Sequence, residues 1–149
     1  MRVGDYCNRE VVVIDREESV TAAARIMREY HVGDVVIVSS QQGKKIPIGI
    51  LTDRDIALEI VAKAADPEMV SAGDAMSYEL TTVNDDDDLM HAIEIMRDKG
   101  IRRLPVVDLD EALVGILTVD DVLDLFSEVF IDIVHLVDRQ RRREASKRP

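Results

Sequence analysis

The sequence predicts a mixed α/β (α+β) chain of two pseudo-symmetric β-α-β-β-α repeats, packed sheet to sheet, with an extended C-terminal helix. Three observations predict it. Gly49-Ile50-Leu51-Thr52-Asp53-Arg54-Asp55-Ile56 returns as Gly115-Ile116-Leu117-Thr118-Val119-Asp120-Asp121-Val122, 66 positions later. An internal repeat of this kind decides the architecture before any single element does. Residues 3–38 align on 72–107 at an offset of 69, with Gly4-Asp5 on Gly73-Asp74, Val11 to Ile14 on Leu80 to Val83, and Val35 to Val38 on Leu104 to Val107. The last helical pattern also outruns its counterpart in the first repeat.

Each element follows from its local pattern. Val11–Ile14 and Leu80–Val83 are short apolar runs and read as strands. Helices follow, with apolar faces at Val20, Ala23, Ala24, Met27 and at Leu89, Ala92, Ile93, Met96. Val35–Val38 with Ile46–Leu51, and Leu104–Val107 with Leu113–Leu117, read as hairpins. The longer turn of the first (Ser39 to Lys45) accounts for the change of offset. A second helix closes each unit from Thr52 or Thr118. Pro67 disfavours helix at Asp66 and marks the linker, which divides the chain into repeats 1–66 and 67–126 and an extension, 127–149. Val122, Leu125, Phe126, Val129, Phe130, Ile133, Val134 and Val137 make an i, i+3, i+4, i+7 stripe that runs from the second repeat into that extension. Its excess is expected to bury against a second copy of the chain.

Composition narrows the class. With 149 residues, 46% hydrophobic but only 3% aromatic and no Trp, the core must be aliphatic. A net charge of −11 argues against a body that holds nucleic acid by charge. The single cysteine, Cys7, allows no intrachain disulfide and suits a reducing compartment. The polar N-terminus does not read as a signal peptide, and no apolar run is long enough for a membrane helix. The expectation is a soluble, cytoplasmic protein without a membrane partner.

Gly-Ile-Leu-Thr-x-x-Asp at 49–55 and 115–121, Gly100 to Val107 before the second hairpin, and Asp74-Ala75-Met76 together resemble the cystathionine-β-synthase (CBS) domain. Residues 3 to 126 are similar to one tandem pair, a stand-alone Bateman-type module. The resemblance implies no catalysis and no resident cofactor. It implies adenosine-containing ligands (AMP, ADP, ATP, S-adenosylmethionine, sometimes NAD) in two clefts between the repeats, and a homodimer.

Thr-x-x-Asp at a helix start is first of all a capping box, with the hydroxyl satisfying a free N–H and the acid complementing the helix dipole. A carboxylate at a strand-to-helix junction can also accept hydrogen bonds from both ribose hydroxyls, and the helix N-terminus can meet a phosphate. Gly49 and Gly115 are expected to leave room for a ligand. Carrying over the family pattern, Arg103, with Arg102 beside it, is expected to meet phosphate at the Thr118/Asp121 site. At the first site Gly33-Asp34 stands instead, and Thr52 and Asp55 have Arg54 and His31 nearby. The second site is therefore expected to bind phosphate better. Val12, Val13, Thr82 and Val83 are expected base contacts through their backbone.

Other signals have plainer readings. Asp85 to Asp88 is a solvated run at a helix start, since consecutive acids cannot converge on one cation. His31, His91 and His135 share no close spacing, so no metal site is expected. The tail from Arg139 to Arg148 is basic and reads as a solvated helix end, and nucleic acid is not expected as its partner. The leading expectation is a regulatory module that senses adenosine nucleotides and acts on an unknown effector protein in trans. The alternative is a structural or interaction protein, working through the amphipathic C-terminal helix and basic tail with weak nucleic-acid or acidic-partner binding.

Overall fold

The computed structural model describes residues 1–76 and 79–148. The first repeat contains α1 (Val3–Tyr6), β1 (Val13–Asp15), α2 (Val20–Tyr30), β2 (Asp34–Gln41), β3 (Lys44–Thr52) and α3 (Asp53–Asp55). α3 runs on into a π-helical stretch, Ile56–Val61, in which Ala62 N–H donates to the Ala57 carbonyl at 2.9 Å. The second repeat contains α4 (Ala72–Ala75), β4 (Val83–Asn84), α5 (Leu89–Lys99), β5 (Arg103–Val107), β6 (Leu113–Thr118) and the long α6 (Val119–Lys147). The mixed α+β fold, the two matched repeats and the long last helix are as expected.

The order β1-β2-β3 has its match in β4-β5-β6, each sheet with one parallel and one antiparallel pairing. The registers are equivalent down to a bulge between Ile37 and Val38 and another between Val106 and Val107. The opening strands are shorter than the expected 11–14 and 80–83. Pairing starts only at Val13↔Val36 and Val83↔Val106, and the residues before these turn their side chains to other work. Val11 packs in the layer between the sheets, while Leu80 lines a cleft.

Alternation along β2 buries both of its faces. Val35 and Ile37 point into a core under α2. Val36 and Val38 point the other way and meet Ile116 of the second sheet, with Val13, Ile50 and Leu113 around them. That sandwich is the sheet-to-sheet contact. α2 and α5 end alike but start differently, α5 having no side-chain cap at Asp88. α2 starts on Ser19, whose hydroxyl accepts from Ala22 N–H at 3.0 Å. It ends on His31 in the left-handed region (φ 55°), and α5 ends the same way on Gly100 (φ 63°). His31 thus holds a helix C-terminus, where histidine is among the more tolerant residues.

The sequence reading did not show that the opening helices are exchanged. Val3 of α1 is fully buried in the core of the second repeat, with Leu89, Leu104 and Leu117. Ala72, Ala75 and Met76, at or beside α4, are buried in the core of the first. The hydrogen bonds match as well. Val3 and Gly4 N–H donate to the Asp87 and Asp85 carbonyls at 2.9 and 2.8 Å, and Ala72 and Gly73 N–H donate to Glu18 and Arg16 at 2.7 and 2.9 Å. The acidic run is therefore more than a solvated helix start. Its backbone docks α1, and Asp86 pairs with Arg2 at 3.1 Å.

The exchange also corrects the expectation that Gly115 makes room for a ligand. A Cβ there would stand 2.6 Å from Cys7 Sγ and 3.0 Å from the Asn8 carbonyl, so the space belongs to the crossing N-terminal segment. Gly115→Ala is expected to destabilise the protein by about 1–3 kcal/mol, read by urea unfolding. Cys7→Ala in the same chain should restore part of this and not all, because the backbone contact at Asn8 remains.

Candidate functional site

Both Thr-x-x-Asp motifs form complete capping boxes. Asp55 N–H donates to Thr52 Oγ1 at 3.1 Å and Thr52 N–H to Asp55 Oδ2 at 2.9 Å. The second box repeats this at 3.2 and 3.0 Å, and Thr118 Oγ1 also donates to Asp121 Oδ2 at 2.7 Å. Each box engages Oδ2 of its aspartate and leaves Oδ1 for another donor. The capping role and an accepting role are therefore compatible in one half-buried side chain.

Strand register sets what stands beside each box. Asp34 pairs with Thr52 across β2 and β3, and Arg103 with Thr118 across β5 and β6. Asp34 and Arg103 are equivalent positions in the repeat, and the pseudo-two-fold relation turns them toward each other. Arg103 Nε lies 2.5 Å from Asp34 Oδ2, the side chains 35% and 17% exposed. Burial pushes the Asp34 carboxyl above its ordinary range, outweighing the downward pull of the Arg103 guanidinium, and Asp53 adds to the rise.

A cleft of about 310 Å³ opens at this junction. One wall carries Ile50, Thr52 and Asp55 from the first repeat. The other carries Leu80, Thr81, Ile101, Arg102 and Arg103 from the second, with Glu79 and Gly100 at its edge. The cleft therefore offers an apolar slot between Ile50, Leu80 and Ile101, a helix start at Thr52, an available carboxylate oxygen and two guanidinium groups. Arg102 is exposed and also reaches Asp120 at 3.6 Å.

The structure thus gathers four of the expected site residues, Thr52, Asp55, Arg102 and Arg103, in one cleft. Arg103 was expected with Thr118 and Asp121, and its backbone does neighbour Thr118. Its side chain lies in the other cleft, because it extends across the axis to Asp34. Thr118 and Asp121 sit instead beside the crossing N-terminal segment. Burial raises the Cys7 thiol there, Arg9 draws it down, and Asp85 and Asp121 add to the rise. Val12 and Val13 line a separate hollow of about 660 Å³ with Tyr30 and Val32. Val83 is in the second core, and Thr82 is half-buried outside the cleft lining. His31 and Arg54 are exposed and do not line it either.

Leu80, Thr81 and Ile101 also line this cleft and were not among the site residues picked from the sequence. The opposite charges at aligned positions 34 and 103 were a readable signal of the pair. Among the described residues, no three His, Cys, Asp or Glu side chains gather in a group that could hold a metal, and no helix is long and apolar enough to cross a membrane.

A family model for the CBS domain matches residues 3–62 and again 72–128. An uncharacterized protein of Methanopyrus kandleri, MK0525, is 41% identical over 123 residues, covering 83% of this chain and 61% of its own length. Hypoxic response protein 1 of Mycobacterium tuberculosis is 31% identical, over 79% of this chain and 80% of its own. The crystal structure of Hypoxic Response Protein I with two coordinated zinc ions superposes with a TM-score of 0.73, covering 83% of this chain and 98% of that one. The CBS domain protein PAE2072 from Pyrobaculum aerophilum, complexed with AMP, is 28% identical with a TM-score of 0.72, covering 81% and 89%. With both repeats matched by the family model, the two sheets in the same order and the opening helices matched in their docking, the chain belongs to the CBS domain family and is a tandem CBS pair.

Proposed function

We propose that this CBS pair is a non-catalytic regulatory module that binds an adenosine-containing ligand in the cleft between Asp55 and Arg103. AMP, ADP, ATP and S-adenosylmethionine are the ligands of choice. The observation that carries the reading is the composition of that one cleft. Its apolar slot suits a purine, Asp55 Oδ1 is free to accept from ribose hydroxyls, and Arg102 and Arg103 supply the cations that a phosphate needs near a carboxylate. The AMP complex of PAE2072, 28% identical, supports the ligand class. The earlier preference for Thr118 and Asp121 rested on Arg103, so the proposal moves with that side chain to the first box.

The cleft draws one wall from each repeat, so a ligand bridges the two. Its binding energy favours whichever relative orientation closes the walls upon it. Such a shift acts on an effector in trans or through a homodimer. The test is a thermal-shift titration with AMP, ADP, ATP, S-adenosylmethionine and NAD. A saturable rise is expected, worth about 2.7 kcal/mol at a hundred times the dissociation constant. No rise with any of the five at millimolar concentration overturns the reading.

Asp34 sets a further expectation. A phosphate must compete with it for the Arg103 guanidinium. Asp34→Asn keeps the shape and removes the competing charge, so AMP affinity should rise about three- to tenfold, a gain of roughly 1 kcal/mol. Adenosine, which has no phosphate, should bind as before; calorimetric titration of the two ligands checks this. The interaction-protein alternative has one observation in its favour, the exposure of α6 from Phe126 onward. Deleting residues 127–149 should leave nucleotide affinity unchanged if the cleft is the functional site.

A further inference from the structure

Asp34 and Arg103 hold equivalent places in the two repeats, beside Thr52 and Thr118 in their own sheets. They meet at 2.5 Å across the pseudo-two-fold axis, and Asp34 is the more enclosed, its side chain 17% exposed. A carboxylate so placed keeps its charge by leaning on a cation. Arg103 is that cation. Its guanidinium also lines the cleft with Thr52, Asp55 and Arg102, so one positive group faces both the buried carboxylate and the place proposed for phosphate.

Among the described residues, the charged groups that act on Asp34 are Arg103 of β5 and Asp53 at the start of α3. Thr52, its register partner on β3, is uncharged. Asp53 repels it, and Arg102 reaches instead to Asp120 at 3.6 Å. Burial and Asp53 already press the Asp34 carboxyl upward against the pull of Arg103.

We propose that, when a phosphate-bearing ligand engages Arg103, Asp34 takes up a proton from solvent, so that the cleft responds to acidity together with the anion. The inference rests on the reading of this cleft as the ligand site. Two geometries lead to the same result. A phosphate that displaces Asp34 leaves the carboxyl mostly buried without its cation. A phosphate that shares the guanidinium, meeting the terminal nitrogens while Nε stays on Asp34, offsets the positive charge and brings its own negative charge close. Either way the neutral carboxyl gains on the carboxylate.

The direction follows by linkage. A group that is protonated more readily in the complex than in the free protein makes binding tighter as pH falls. It does so only across the interval between its two titrations. Adenosine, without a phosphate, leaves the ion pair in place and shows no such dependence. Asp34→Asn imitates the protonated state, since both offer the phosphate an uncharged neighbour.

NMR of the carboxyl carbons tests this on the full chain, the Asp34 signal being identified by its loss in Asp34→Asn. Its titration is followed in the free protein, with saturating AMP and with saturating adenosine. AMP should move it to higher pH, and adenosine should leave it where it stands in the free protein. Arg103→Gln should move it to higher pH with no ligand present, and AMP should then add little. An Asp34 titration that AMP leaves unmoved or lowers, or that adenosine raises equally, overturns the inference and leaves the ligand site standing. So does a titration indifferent to Arg103→Gln. A protein that shows no saturable AMP binding overturns both the ligand site and this inference.

Discussion

Val3→Asp is expected to open the second repeat rather than the first, although Val3 belongs to the first by sequence. The side chain is 0% exposed and packs with Leu89, Leu104 and Leu117. A carboxylate in that aliphatic core has no cation to pair with, and an uncompensated buried charge costs about 3–5 kcal/mol. Against the 5–15 kcal/mol that holds a typical domain folded, that is a large share, and the melting temperature should fall by roughly 10 °C or more. Hydrogen exchange locates the damage. Amides of β5 and β6 should lose protection before those of β2 and β3. Ala72→Asp, its mirror, should loosen β2 and β3 first. Loss of protection in each residue's own repeat would contradict the exchanged arrangement.

Asp55→Ala should weaken binding of AMP about tenfold to a hundredfold or more. Two hydrogen bonds from ribose hydroxyls to a charged acceptor are lost, at about 1.5–3 kcal/mol each at most. The substitution also breaks a capping box, at about 1 kcal/mol of stability, so the melting temperature alone is a poor readout. Asp121→Ala supplies the control. It breaks the matching box at comparable cost, but its carboxylate lies outside the cleft with Arg103. Calorimetric titration should therefore find affinity lost in Asp55→Ala and largely kept in Asp121→Ala. Equal losses, or a loss confined to Asp121→Ala, would move the site to the second box.

Much of this was legible in the residues. Two Thr-x-x-Asp copies announce two helix starts, because a hydroxyl and a carboxylate three residues apart satisfy two free N–H groups of one turn. The 66- and 69-residue offsets announce the paired sheets, and the stripe past Phe126 announces the long helix. What stayed hidden was set by tertiary geometry. The docking of α1 and α4 runs through backbone groups of Asp85, Asp87, Arg16 and Glu18, which leave no mark in side-chain pattern. Gly4 and Gly73 did leave one, since a Cβ at either would meet a partner carbonyl at 2.9 or 3.0 Å. Read as repeat markers, they were docking points. Arg103 was assigned by its neighbours in sequence. A side chain long enough to cross a two-fold axis can serve the far cleft instead. The π-helical stretch after Asp55 has no counterpart in α6, and periodicity does not separate the two.

The crossing of the opening helices also bears on how the chain is made. At 5–20 residues per second, Val122 follows Val3 from the ribosome by roughly 6 to 24 s, and until then the second core lacks its last wall. The first core closes sooner, once Met76 has emerged. For that interval the nascent chain carries a finished first core whose opening helix is still waiting for its seat. Neither half, cut free at the linker, would hold all of its own core.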